Sequence, residues 1–175
     1  MEDEKYELIE NRKYKIVKKD FIKYKGRKLY RIRALISLVD RGRCIIKGQF
    51  GGYVEGYHNL SQEGRCWVYR NAKVYGNARI VDDAGVDGSA EVFGNAIVRD
   101  SAFIYDNVNV YDNARIENDA RIYGNAKVFG NAIIKDDAEV NERAKVYGNA
   151  RVRNQAIIGN DAKVCDNTVV SMKLL

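Results

Sequence analysis

The chain carries one histidine, His58, in the segment Gly56-Tyr57-His58-Asn59. A single imidazole can serve as a general base near neutral pH, taking a proton from an attacking nucleophile. With no second histidine, no Ser/His/Asp or Cys/His grouping can form anywhere else in the chain. A lone surface histidine also has a plainer reading as a solvated side chain. No catalytic residue is therefore assigned, and His58 stands as the one candidate. Cys44, Cys66 and Cys165 are odd in number and lack metal-ligand spacing, so they read as inert thiols. Asp82-Asp83, Asp100, Asp119 and Asp136-Asp137 recur in a pattern that could stack carboxylates around Ca²⁺. Aspartate is equally a corner residue, and Lys and Arg flank these positions, so no metal is expected. The glycine-rich stretch Gly48–Glu55 lacks the Gly-Lys-Ser/Thr ending of a phosphate loop.

Charge is the second chemical signal. The net charge is +6, and it is uneven: residues 1–59 carry +7 and residues 60–175 carry −1. Lys18 and Lys19 precede a tighter cluster of Lys23, Lys25, Arg27, Lys28, Arg31 and Arg33, interleaved with Tyr24 and Tyr30. Such a cluster suits contacts to an acidic protein, a nucleotide or a nucleic acid. The plainer reading is a solvated charged face.

The elements that position these groups are set by a register of six. From Val68 to the last residue the chain divides into eighteen hexads whose first residue is always Val or Ile. The fifth is Ala in all but three, at Val108, Thr168 and Leu174. Six-residue steps would smear an apolar stripe around a helix, but an even period keeps one face of a strand constant. Positions three and four hold turn residues, as in Gly76-Asn77, Gly94-Asn95 and Asp112-Asn113. Each hexad is therefore a short strand and a corner, and it buries its Val only by stacking on neighbours. A higher repeat also shows: Val-Tyr-Gly-Asn-Ala-Arg or its Asp variant starts at Val74, Val110 and Val146, every 36 residues.

Runs of Val/Ile-x-Gly-Asn-Ala-x resemble the hexapeptide-repeat family, whose fold is a left-handed parallel β-helix. The words Leu-Tyr-Arg-Ile-Arg-Ala-Leu at Leu29, Gly-Gly-Tyr-Val-Glu at Gly51 and Asn-Leu-Ser-Gln-Glu-Gly-Arg-Cys-Trp-Val-Tyr at Asn59 resemble bacterial and phage acyltransferase-like proteins of that family. The resemblance implies an all-β chain: three hexads per coil, about six regular 18-residue coils, and irregular first coils. A small N-terminal β cap completes it, since terminal repeats need covering. It places the basic cap at 1–45, the irregular coils at 46–67 and the regular β-helix at 68–175. It also implies subunit trimers and acyl transfer from acetyl-CoA or another acyl donor, with a catalytic histidine in an intersubunit cleft beside an extruded loop. This chain departs from that pattern. Its eighteen hexads run without insertion, and its one histidine lies in the irregular part.

The leading expectation is accordingly a non-catalytic oligomeric binding or scaffold protein that needs no cofactor. It would engage a protein, a nucleotide or another anionic partner, a phage-type inhibitor included. The alternative is an acyltransferase using acetyl-CoA at a subunit interface. Folding three hexads to a coil stacks Tyr75, Phe93, Tyr111, Phe129 and Tyr147 in one outward column. It sets Trp67, Tyr69, Phe103, Tyr105 and Tyr123 around another face. Rings stacked at strand spacing can stabilise the sheet face itself, form a homo-oligomer interface (a trimer or an end-to-end dimer), or bind a planar or carbohydrate ligand, and an oligomer is the expectation. Leu174 and Leu175 are expected to be buried against a second chain at the uncapped C-terminal end. The charged N-terminus and the lack of a long apolar run point to a cytoplasmic protein without membrane contact.

Overall fold

The structure is a computed structural model and describes residues 12–172. Five strands come first: β1 (Tyr14–Tyr24), β2 (Arg27–Ala34), β3 (Leu38–Asp40), β4 (Arg43–Ile45) and β5 (Phe50–Val54). Eighteen two-residue strands follow, from β6 (Trp67–Val68) to β23 (Val169–Val170), one per hexad. They stack into a parallel β-solenoid with one nine-stranded and two six-stranded sheets. The pairing register is uniform: Val74 meets Val92, Ile80 meets Val98, and Val86 meets Ile104. The first-position Val and Ile residues and the fifth-position Ala residues from Val68 to Ala156 are buried almost without exposure. Small Ala beside each corner leaves room for branched side chains from three faces to meet in the middle.

The corner chemistry follows from the backbone. Every third position of a hexad from Arg70 to Asp166 has positive φ, whether Gly, Asp, Asn, Glu or Arg occupies it. Gly and Asn tolerate that region at low cost. Where Asp occupies it, the carboxylate bonds to the coil above. Asp100 Oδ2 accepts the Asn118 amide at 3.0 Å, Asp112 the Gly130 amide at 3.1 Å, and Asp136 the Asn154 amide at 3.0 Å. These aspartates serve as links between coils. Among the described residues no group of three or more His, Cys, Asp or Glu is arranged to hold a metal. At one corner the fourth-position amides form a ladder, Asn77 to Asn95 to Asn113 to Asn131 to Asn149 to Asn167, with steps of 3.0–3.2 Å.

The regular register begins after one irregular coil. Val54 pairs with Val74 and Leu60 with Ile80, offsets of twenty, whereas Val68 pairs with Val86, an offset of eighteen. Two extra residues are therefore absorbed between Leu60 and Trp67. The cap seals this coil. β2 runs antiparallel on β5, and β1 on β2, so the hairpin extends the largest sheet past its first parallel strand. Lys25 and Gly26 both have positive φ and make the two-residue turn. A bulge between Val17 and Phe21 shifts the register within β1. Tyr14 is fully buried, donates its hydroxyl to the Leu60 carbonyl at 2.7 Å, and meets the Trp67 indole edge-on at 6.3 Å. Burial pushes the Tyr14 hydroxyl pKa well above its ordinary value.

A second hairpin, β3–β4, lies along a different face. Its turn, Arg41-Gly42, also has positive φ. Buried Asp40 accepts the Tyr69 hydroxyl at 2.6 Å, and Arg41 donates to the Ser101 carbonyl at 2.5 Å. The Arg41 guanidinium covers the Phe103 ring at 4.9 Å. The two hairpins correct the expected surface. Trp67, Tyr69 and Tyr75 do not face solvent in this chain, because cap residues lie over them, leaving 0%, 7% and 4% of each exposed. The burial expected for Leu174 and Leu175 concerns residues outside the described ones. Among the described residues, no helix is long and apolar enough to cross a membrane.

The tip of the first hairpin is held by one carboxylate. Glu91 accepts bonds from Lys25 Nζ at 2.8 Å, from the Tyr75 hydroxyl at 3.0 Å and from the Tyr24 hydroxyl. Burial works to raise the Glu91 pKa, but the bonds from Lys25, Tyr24 and Tyr75 together hold it below the usual glutamate value. A carboxylate whose folded pKa is depressed stabilises the fold fully above its unfolded pKa and loses that contribution as pH falls through the folded one. The stability advantage of wild type over Glu91→Gln should thus be full near neutrality. It should shrink below the ordinary glutamate value of 4.5, as read by melting temperature against pH. A second prediction concerns the core. Ile134→Ala should cost about 2–5 kcal/mol in urea denaturation. Lys127→Ala, exposed on another strand of the solenoid, should stay within about 0.5 kcal/mol.

Candidate functional site

His58 sits where the chain leaves β5 for the second face of the irregular coil. Residues Tyr57–Asn59 form a single 3₁₀ turn there. The turn is fixed by Asn59, which is fully buried. Its Oδ1 accepts the Glu55 and Gly56 amides at 3.1 and 2.9 Å, and its Nδ2 donates to the Gly76 and Ala78 carbonyls at 3.0 and 2.9 Å. All four bonding sites of that amide are satisfied, so the turn is rigid. His58 Nε2 lies 2.8 Å from the Gly76 carbonyl oxygen. A carbonyl only accepts, so Nε2 carries the proton and Nδ1 keeps its lone pair. A side chain at position 56 would place its Cβ 2.8 Å from Nδ1, so Gly56 is what leaves the ring its space.

The imidazole borders a cleft of about 420 Å³, shared with Arg27, Glu55, Tyr75, Asn77, Phe93 and Asn95. Glu55 anchors one wall. Its carboxylate receives Arg27 Nη1 at 2.8 and 2.9 Å and the Gly76 amide at 2.7 Å. The opposite wall is the start of the aromatic column. Tyr75, Phe93, Tyr111, Phe129 and Tyr147 stack face to face, with centroids 4.9–5.0 Å apart and planes within 6°. Tyr24 closes the column edge-on to Tyr75 at 6.1 Å. Burial pushes the Tyr75 hydroxyl up to about 12, with Glu91 adding to the shift and Lys25 opposing it. It therefore stays protonated as a donor at neutral pH. Tyr105 and Tyr123 stack in the same manner at 5.0 Å on another face.

The basic cluster is mostly committed within the chain. Lys25 pairs with Glu91 and Arg27 with Glu55. Arg31 donates to the Tyr53 hydroxyl at 2.9 Å and lies over the Tyr53 ring. Arg33 donates to the Gly48 carbonyl at 2.8 Å and lies over Phe50. Lys28 sits over Phe21, and Lys23 is exposed. The basic strands thus spend much of their charge fastening the cap to the first coils.

Sequence reasoning marked His58 but not the residues that orient it. Asn59, Glu55 and Gly76 become neighbours only through the twenty-residue offset, which the six-residue register conceals. The β3–β4 hairpin was also missed. Its signal is the Asp40-Arg41-Gly42-Arg43 turn between Leu38-Val39 and Cys44-Ile45.

Comparisons with known proteins agree with this architecture. A family model described as the YdcK beta solenoid repeat matches residues 120–136. The protein named uncharacterized acetyltransferase YdcK, from Escherichia coli K12, is 31% identical over 74 residues. That match spans 42% of this chain and 22% of the relative's length. Among solved structures, the acetyltransferase domain of PglB from Neisseria gonorrhoeae FA1090, in complex with acetyl coenzyme A, superposes with a TM-score of 0.53 at 15% identity. The superposition covers 69% of this chain and 54% of that one, and at such identity it speaks to fold. The chain is a β-solenoid of six-residue repeats, similar over part of its length to the protein named uncharacterized acetyltransferase YdcK.

Proposed function

We propose that this chain is an acyltransferase that takes its acyl group from an acyl-CoA thioester, with His58 as general base. The observation that carries the reading is the state of His58. Its tautomer is fixed by the Gly76 carbonyl, so the basic nitrogen Nδ1 is defined, and the ring borders a cleft of about 420 Å³. That volume suits the acyl-thioester end of a donor, with the Tyr75 and Phe93 rings as apolar lining. Arg27, held by Glu55, supplies positive charge at the rim. In the transfer, Nδ1 accepts the proton of an amine or hydroxyl acceptor as its heteroatom bonds to the thioester carbonyl carbon. The carbon–sulfur bond breaks, and the CoA thiolate leaves and takes up the proton held on His58. The unbroken hexads throw out no loop to shape an acceptor pocket. The cap and the irregular coil supply the cleft instead of an extruded loop.

A non-catalytic binding scaffold is the second reading, favoured by eighteen hexads that pass without insertion. The two readings separate on one measurement. Acetyl-CoA should bind in calorimetry and support acyl transfer to a panel of amine and hydroxyl acceptors. His58→Ala should lower kcat by about 10²–10⁴-fold while leaving acetyl-CoA affinity within about threefold. Loss of binding and turnover together in wild type would favour the scaffold. Full turnover in His58→Ala would remove the histidine from the reaction.

A further inference from the structure

A second cleft lies on the other side of the cap, at the corner that carries Arg70. It measures about 510 Å³ and is lined by Arg31, Arg43, Cys44, Phe50, Tyr69 and Arg70 among others. Three guanidinium groups converge there, and no carboxylate lines it among the described residues. Asp40 adjoins the cleft through the Tyr69 hydroxyl but is paired with Arg41, and Asp87 meets Arg43 and Arg70 with its side chain only 4% exposed. Asp87 is fully engaged: Oδ2 takes Arg43 Nη1 at 2.6 Å, while Oδ1 takes the Gly88 amide at 2.6 Å and faces Arg70 Nε at 3.3 Å. One carboxylate thus orients two guanidiniums and leaves a local excess of about two positive charges once Arg31 is counted.

The three arginines are positioned rather than free to withdraw. Arg43 is flanked by the Tyr69 and Phe103 rings at 5.4 and 5.5 Å. Arg31 is held over Tyr53 at 5.0 Å, and its Nε is buried with no hydrogen-bond partner. Arg70 projects from a left-handed corner, φ 48°, with 71% of its side chain exposed. Like charges gathered at one site destabilise a fold unless a counter-charge joins them. Planar forks of this kind match the paired oxygens of carboxylate and phosphate alike, and an excess of about two positive charges suits the nearly doubly charged phosphate monoester.

We propose that the Arg31–Arg43–Arg70 cleft is a binding site for a phosphate monoester, distinct from the His58 cleft. The site does not depend on acyl transfer, because none of these arginines lines the His58 cleft. Exposed Cys44 lies in the lining and reports on occupancy, with partly exposed Cys165 on the last coil as an internal reference.

The test follows maleimide labelling of the two thiols on the full chain, with inorganic phosphate, AMP or acetyl-CoA at constant ionic strength. Occupancy should slow labelling of Cys44 and leave Cys165 unchanged. The arms separate the sources: equal protection by phosphate and AMP assigns the phosphate group alone, and stronger protection by AMP assigns a nucleotide. Protection by acetyl-CoA at lower concentration than AMP needs assigns the phosphates of the acyl donor. Arg70→Ala, at an exposed side chain, should weaken protection at least about tenfold, and His58→Ala should not alter it. Absence of protection by all three compounds at millimolar concentration would overturn the proposal. So would protection that survives undiminished in Arg70→Ala.

Discussion

The structure depends on a backbone conformation that most residues avoid. A chain that turns a corner every six residues must place one residue per corner in the left-handed region. Here all seventeen third positions from Arg70 to Asp166 do so, and only six of them are glycine. Asp, Asn, Glu and Arg occupy the remainder. The Asp and Asn side chains offset part of the strain, because their oxygens reach the amide of the equivalent residue one coil on. Corners such as Asp100, Asp112 and Asp136 are thus tied twice, by the backbone ladder and by the side chain. The apolar interior then needs nothing more elaborate than Val, Ile and Ala in fixed places.

A stack of identical coils has a weakness at its first turn, where the ladder has no preceding partner. The chain meets this by changing rules. Below Val68 the offset becomes twenty, the pairing beyond β5 becomes antiparallel, and two hairpins lie over the end and one flank. Both clefts arise at this seam. The His58 cleft forms where β5 turns out of the cap sheet, and the arginine cleft forms where the β3–β4 hairpin meets the Arg70 corner. The smooth part of the solenoid has a repeating surface, and concavity comes from the mismatch between two packing rules.

The sequence made the regular part legible almost residue by residue. Val and Ile at position one, Ala at position five and the turn residues at positions three and four announce the core and the corner, because each recurs through the register, whereas the Asn ladder shows only in the structure. The face on which the Tyr75–Tyr147 column stacks also follows from counting in threes. What lay beyond reading were contacts made once. The burial of Trp67 depends on where β1 brings Tyr14, and that of Tyr69 on where hairpin β3–β4 lands, and no periodicity encodes either. The partners of Arg27, Arg31 and Arg33 are likewise particular to a single fold-back. Their charges read as a surface for something else, whereas Glu55, Tyr53 and Phe50 neutralise or cover most of them from within the chain.

The three-to-a-coil register carries a consequence for how this gene can change length. Removal of eighteen residues deletes one coil and returns every later column to its own face. Removal of six leaves the Val/Ile/Ala interior equally content, yet it rotates all downstream surface columns by one face. The aromatic stack would then abut the second positions of the next face, Glu117, Lys135 and Arg153. The core is blind to the difference and the exterior is not. Viable insertions and deletions in the solenoid should therefore accumulate in multiples of a whole coil, selected by the outside of the prism and not by its stability.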